Sequence, residues 1–403
     1  MTAVTVTRRG TLATRVDALL KRATDAGEIP GVVAMASAED DTIYQGAFGT
    51  RKLGAARTMS IDTVVWIASL TKPITSAAAM QLVEQGRLKL DEPAQRWAPG
   101  LAAAQVLEGF DASGTPRLRP PRRAITLRDL LTHTAGYGYG MWHAGLARYM
   151  EQMDLPGTAS CANAALRLPL LFDPGERWNY GINIEWVGKV IEGASGTTLG
   201  DYLQQNLFAP LGMDSTGFKI TPAMRRRLSR VHERDANGTL VAGDFEVPQQ
   251  PEFEMGGGGL YSTAPDYSAF IGMILNRGTG NGNRVLKPAT VDLMSRNHIG
   301  VLRVSPMSTT NALRSNDIDF FPGVAKTWGL GFMINDAAAP TGRSAGSLGW
   351  AGLSNCYFWI DPVKRMSGLF LTQILPFADI RALPLFLDFE SAVYRFTEAS
   401  KEV

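Results

Sequence analysis

An α+β fold is what this sequence predicts: an antiparallel β-sheet flanked by N- and C-terminal helices, with an all-helical part inserted. Three observations predict it. Strand-like runs are confined to residues 32–67 and 328–371, the middle of the chain carries apolar residues at helical spacing, and an amphipathic helix stands near each end.

Taken in order, Val16, Leu19, Leu20 and Ala23 recur at helical spacing over residues 11–26, and Gly27 and Pro30 stop that helix. Residues 32–36 and 42–46 flank the polar turn Glu39-Asp40-Asp41 and predict a hairpin. A short strand follows at residues 63–67. The helix expected over 69–85 is buried, since Leu70, Ile74, Ala77, Ala78 and Leu82 are apolar, and Gly86 ends it. From 91 to 221 no strand alternation is visible. Helices are expected there at 126–132, entered through a Thr126-x-x-Asp129 capping box, and at 145–153, 184–194 and 199–207. Strands return at 328–334, 344–348, 354–360 and 366–371, and a helix over 382–396 closes the chain. Boundaries near 88 and 225 divide the chain into a sheet domain (1–88 and 225–403) and a mainly helical domain (89–224).

Composition narrows the function. The 403 residues carry 40 Lys+Arg against 38 Asp+Glu, a net charge of +2 with no basic stripe, so neither nucleic acid nor a membrane surface is an expected partner. The run Arg225-Arg226-Arg227 reads as a solvated face. Cys161 and Cys356 are the only cysteines and read as small buried apolar residues rather than a disulfide framework. No signal-peptide core and no apolar run near the ~20 residues of a membrane span occurs, which makes the cytoplasm the expected compartment. No H-x-x-x-H or C-x-x-C pair suggests a metal, and no cofactor is expected. The run Gly256 to Gly259 is too short for a linker.

The sharpest motif is Ser69-Leu70-Thr71-Lys72, where a strand gives way to the most apolar helix. The i, i+3 spacing stacks Ser69 and Lys72 on one face. Burial at a positive helix terminus disfavours the ammonium form, which makes Lys72 a base for the serine hydroxyl. A second feature is the Asp173-Pro174-Gly175 turn leading to Tyr180 at a helix entry, a tyrosine placed to relay a proton. A third is Gly349-Trp350-Ala351-Gly352-Leu353, a small-residue stretch beside an apolar strand that lets backbone come close to a reacting carbonyl.

Together these stretches resemble the serine β-lactamase and penicillin-binding-protein family, and more narrowly its family VIII carboxylesterase branch with the statin-forming acyltransferases. The likeness spans about residues 15–398 and includes LRDLLTHTAGYGYG, FDPGERWNYGINIEWVGKVIE and LFAPLGMDSTGF. It implies a β-lactamase/transpeptidase-like fold and an acyl-enzyme on Ser69, with Lys72 as general base and Tyr180 as proton shuttle. The backbone N–H groups of Ser69 and Leu353 would form the oxyanion hole. Trp350, Gly352, Tyr137, Tyr139 and Trp142 would line the substrate site. The chain departs from the lactamases at two places: Ile182 stands where they carry Asn, with Asn183 one residue later, and Trp350 replaces the Lys of their Lys-Thr-Gly. The cation that grips a β-lactam carboxylate is therefore absent, which favours a small uncharged ester substrate and a carboxylesterase that also transfers acyl groups to alcohols. The alternatives are a β-lactamase or D-alanyl-peptide hydrolase, and a catalytically silent binding protein of the same fold. Gly342-Arg343-Ser344-Ala345-Gly346 matches a nucleophile elbow but lacks the strand before and the helix after it, so Ser344 is not expected to react. His133 reads as a residue that fixes its loop. Oligomeric state has no signature in the sequence.

Overall fold

The computed structural model describes residues 3–39 and 41–399, so Asp40 of the expected turn lies outside the described residues. Seven strands make one antiparallel sheet: β1 (Gly31–Ala38), β2 (Asp41–Gly49), β3 (Lys326–Trp328), β4 (Met333–Asn335), β5 (Leu348–Gly352), β6 (Cys356–Asp361) and β7 (Met366–Leu371). Their spatial order is β3-β4-β5-β6-β7-β1-β2. The chain ends join where β1 meets β7, with Ala34 opposite Phe370 and Ala36 opposite Gly368.

Alternation along β6 divides its side chains between two helical layers. Tyr357 stacks on Phe386 with ring centroids 4.6 Å apart and Trp359 meets Phe389 at 5.6 Å, both from α5 (Ala382–Ala399). Phe358, between them, faces Tyr267 of α4 (Ala264–Leu275) at 5.6 Å. Trp359 is fully buried, and truncating such a side chain to Ala costs about 3–5 kcal/mol. A buried Arg343–Glu390 ion pair ties α5 to the segment before β5. The amino-terminal helix α1 (Ala3–Asp25) begins earlier than its apolar spacing indicated and packs beside α5.

α2 (Thr71–Glu84) is buried from Thr71 to Leu82. Its alanines pack closely on every side, and Pro73 sits in the first turn, where the missing N–H leaves no helical bond unmade. In the middle of the chain, helix α3 (Asn183–Ser195) and several short helices dominate.

Three expectations are corrected. The middle is not wholly helical, because Val106–Phe110 and Pro116–Arg119 form a hairpin. Its turn is made by Asp111 Oδ1, which accepts the N–H groups of Ser113 and Thr115. The single strand expected over 328–334 is two, since the chain reverses at Leu330-Gly331 with Gly331 at φ +108° and Gly329 N–H on the Phe332 carbonyl. Residues 344–347 form the turn before β5 rather than a strand, and the small-residue stretch is the strand itself. The arginine run is largely solvent-facing, with Arg225 on Glu246 and Arg227 on Asp62. No helix among the described residues is long and apolar enough to cross a membrane.

Candidate active site

Ser69 sits in a single 3-10 turn (Ala68–Leu70) between a short strand (Val65–Trp66) and α2. The strand is fixed by Gln373, whose Oε1 accepts Trp66 N–H at 3.0 Å and whose Nε2 donates to the Trp66 carbonyl at 2.9 Å. Ala68 then adopts φ +47°, an uncommon conformation for a residue with a Cβ and of the kind found beside reactive groups. Gly352 on β5 lies against this turn. A Cβ there would stand 2.4 Å from the Ile67 carbonyl oxygen, so only glycine lets the strand come this near. Leu353, the next residue, lines the same cavity as Ser69.

The Lys72 amine is the hub. It is 1% exposed, and Nζ lies 3.1 Å from Ser69 Oγ, 3.1 Å from the Tyr139 hydroxyl and 2.7 Å from the Gly257 carbonyl. Three contacts match the three protons of an ammonium, or two protons and one lone pair of the free amine. The face of the Tyr180 ring covers Nζ with its centroid 4.7 Å away. The phenol hydrogen bond to the amine is thus made by Tyr139, while the Tyr180 hydroxyl accepts from Trp350 Nε1 at 3.0 Å. Burial, with Glu185 and Tyr180 nearby, pushes the Tyr139 phenol well above its ordinary value, so it works as a neutral O–H.

The glycine run forms the opposite wall. Its successive carbonyls are each taken: Gly256 by Thr75 Oγ1 at 2.6 Å, Gly257 by Lys72, and Gly258 by Trp66 Nε1 at 2.7 Å. Gly257 N–H donates to Glu185 Oε2 at 2.6 Å, and burial pushes the Glu185 carboxyl up to about 7 against the pull of Lys72.

These groups floor a cavity of about 460 Å³ with a mainly apolar lining, Met141, Trp142, Met150, Leu168, Phe245 and Met255 among its walls and the exposed Thr310, Asn311 and Arg314 at its edge. Tyr139, Trp142, Tyr180 and Trp350 all reach it. Tyr137 does not: its ring is buried in the core, stacked on Trp186 with centroids 6.3 Å apart. Gly352 lies behind the wall, under Ile67. Asn183 is turned away, its Nδ2 on His133 Nδ1 at 2.9 Å. His133 holds its loop at φ +58° and takes the Asn179 N–H on its carbonyl. Burial, with Lys72 second, holds the His133 imidazole well below its usual range. Ser344 lies in the turn before β5, its N–H on Asp361, outside the cavity.

Sequence reasoning missed two contributors. Four glycines in a row that are no linker were the one available signal for the carbonyl wall. Glu185, in the first turn of α3, resembles any solvated acid in a helix and gives no signal at all.

A serine and a buried lysine one helical turn apart, under an antiparallel sheet with an apolar cavity above them, define an acyl-enzyme hydrolase or transferase. The chain belongs to the Beta-lactamase family, whose profile matches residues 16–390. It is 34% identical over 393 residues to monacolin J acid methylbutanoyltransferase of Aspergillus terreus, covering 93% of this chain and 94% of that one. It is 32% identical over 401 residues to a lovastatin esterase of Penicillium rubens, covering 96% and 99%. A solved simvastatin synthase from A. terreus, the LovD9 mutant, superposes with a TM-score of 0.83 at 32% identity, covering 96% and 99%. The chain is therefore an enzyme of serine ester hydrolysis and acyl transfer.

Proposed function

We propose that this enzyme is a cofactor-free carboxylesterase that also passes its acyl group to alcohols, with Ser69 as nucleophile. The observation that carries the reading is the 3.1 Å contact between Ser69 Oγ and a buried Lys72 amine at the floor of an apolar cavity. Lys72, as the free amine, takes the Ser69 proton while Oγ attacks the ester carbonyl. The backbone N–H groups of Ser69 and Leu353 receive the oxyanion. The tetrahedral intermediate collapses when the leaving alkoxide takes a proton from the Tyr180 hydroxyl, and the Lys72 ammonium replaces that proton once the phenol has swung from Trp350 to the amine its ring now covers, Tyr139 holding the amine meanwhile. Water or an alcohol then enters by the same steps in reverse. Trp350 and the apolar walls favour uncharged esters with alkyl acyl groups, and residues 89–224 act as the domain that roofs them.

Intact-mass spectrometry after brief exposure to p-nitrophenyl butyrate, wild type beside Ser69→Ala, tests this. A transient mass gain of one butyryl group and ester turnover are expected in the wild type only, with little turnover of nitrocefin. Ester turnover of equal rate in Ser69→Ala would overturn the reading, and rapid nitrocefin turnover would return the enzyme to the lactamases.

A further inference from the structure

One buried acid at this site has no part in the steps above. Glu185 is 1% exposed, lines the cavity, and touches none of the groups that exchange protons with Ser69. Its single hydrogen bond among the described residues is to the backbone of Gly257. That residue carries the carbonyl on which Lys72 Nζ rests at 2.7 Å, so the acid and the amine grip the same residue from its two ends. The grip admits no side chain between them, since a Cβ at Gly257 would lie 2.3 Å from Glu185 Oε1. Thr75 and Trp66 hold the neighbouring carbonyls of the run, so the backbone on either side of Gly257 is fixed as well.

We infer that Glu185 is a positioning residue that sets where the Lys72 amine sits. The inference rests on the reading of Ser69 and Lys72 given above. The clamp acts through Gly257: with the carbonyl fixed, one Nζ–H is committed to it, and the amine's lone pair is left for Ser69. The charge acts through space. Burial resists ionisation of the Glu185 carboxyl while Lys72 draws it toward its anion, and a glutamine at this place sets no such charge beside the amine. The titratable groups that interact with Glu185 are Lys72 from α2, Tyr139 and Cys161, and His133 lies within reach of Lys72. Of these only Lys72 is a cation, so the carboxyl and the amine form one coupled pair. The placement of Glu185 in the first turn of a 13-residue helix favours its anionic form and partly offsets its burial.

Two substitutions separate clamp from charge. Glu185→Gln keeps an oxygen for Gly257 N–H and removes the charge; Glu185→Ala removes both. The experiment measures kcat and KM for p-nitrophenyl butyrate from pH 5 to 9, normalised to sites labelled by a fluorophosphonate, with Ser69→Ala as the blank. In Glu185→Gln the acidic limb of kcat/KM is expected to move down by about one pH unit with kcat on the plateau nearly kept. In Glu185→Ala the limb moves likewise and plateau kcat falls roughly 10–100-fold with KM little changed, the mark of a displaced base rather than a lost binding surface. Normal Ser69 labelling with profiles that superpose on the wild type in both variants would overturn the inference and leave the serine reading intact. Labelling or turnover surviving in Ser69→Ala would overturn the serine reading itself.

Discussion

The floor of the cavity and its walls are built on opposite principles. At the floor, each polar group is held by backbone or by another fixed side chain: Lys72 by three contacts, Tyr180 by Trp350, Gly257 by Glu185, Trp66 by Gln373. The walls are mainly methionines and aromatics from loops and short helices, with few hydrogen bonds such as that of Trp142 to Ser315, and polarizable side chains there repack at little cost. Reaction geometry and acyl preference are thus housed in separate parts, and a family can change what it acylates without disturbing how.

That contrast breaks most visibly at the floor. Ser69→Ala or Lys72→Ala is expected to lower kcat for ester hydrolysis by roughly 10⁴-fold or more while leaving the fold intact by circular dichroism. The two tyrosines sharpen it further. Tyr180→Phe is expected to cost about 100-fold in kcat, because the leaving-group proton is lost, and Tyr139→Phe about tenfold, because the amine keeps its other two partners. Measured side by side on one ester, a reversed order would exchange their roles. At the wall, Met150→Ala is expected to leave kcat for the best ester within about threefold and to change the ratio of kcat/KM between octanoyl and butanoyl esters by about tenfold in favour of the longer chain.

The smallest effect is one of stability and pH. The Glu185 carboxyl has its folded-state value raised above that of the unfolded chain, so its contribution to stability is full below the unfolded value and is lost as pH rises through about 7. Raising pH from 5 to 8 should therefore lower the Tm of the wild type relative to Glu185→Gln, by a difference worth at most about 3 kcal/mol. Equal slopes of Tm against pH in the two proteins would show that the carboxyl ionises without cost.

Much of this molecule is legible in its sequence because two periods dominate it. The Ser69-x-x-Lys72 pair, the α2 apolar positions and β7 were readable since helical stacking and strand alternation act locally. The 106–119 hairpin was not, because Asp111 makes its turn with side-chain hydrogen bonds while both strands are partly solvated and show no alternation. Tyr137 and Tyr139 stand two apart, a spacing that extended backbone would put on one face, yet one ring packs in the core on Trp186 and the other meets Lys72. Glu185 was invisible for a different reason. Its importance lies in a backbone N–H 72 residues away, and side-chain identity carries no record of which main-chain group will be near.

The meeting of β1 with β7 fixes a timetable as well as a sheet. β1 leaves the ribosome early and finds β2 at once, but its other edge waits for residues 366–371. At roughly 5–20 residues per second the wait lasts on the order of tens of seconds, during which Val32, Val33 and Met35 and an open row of backbone groups face solvent or a chaperone. Synthesis of this enzyme is thus a race that its first strand can only finish when the last strand of the sheet has been made.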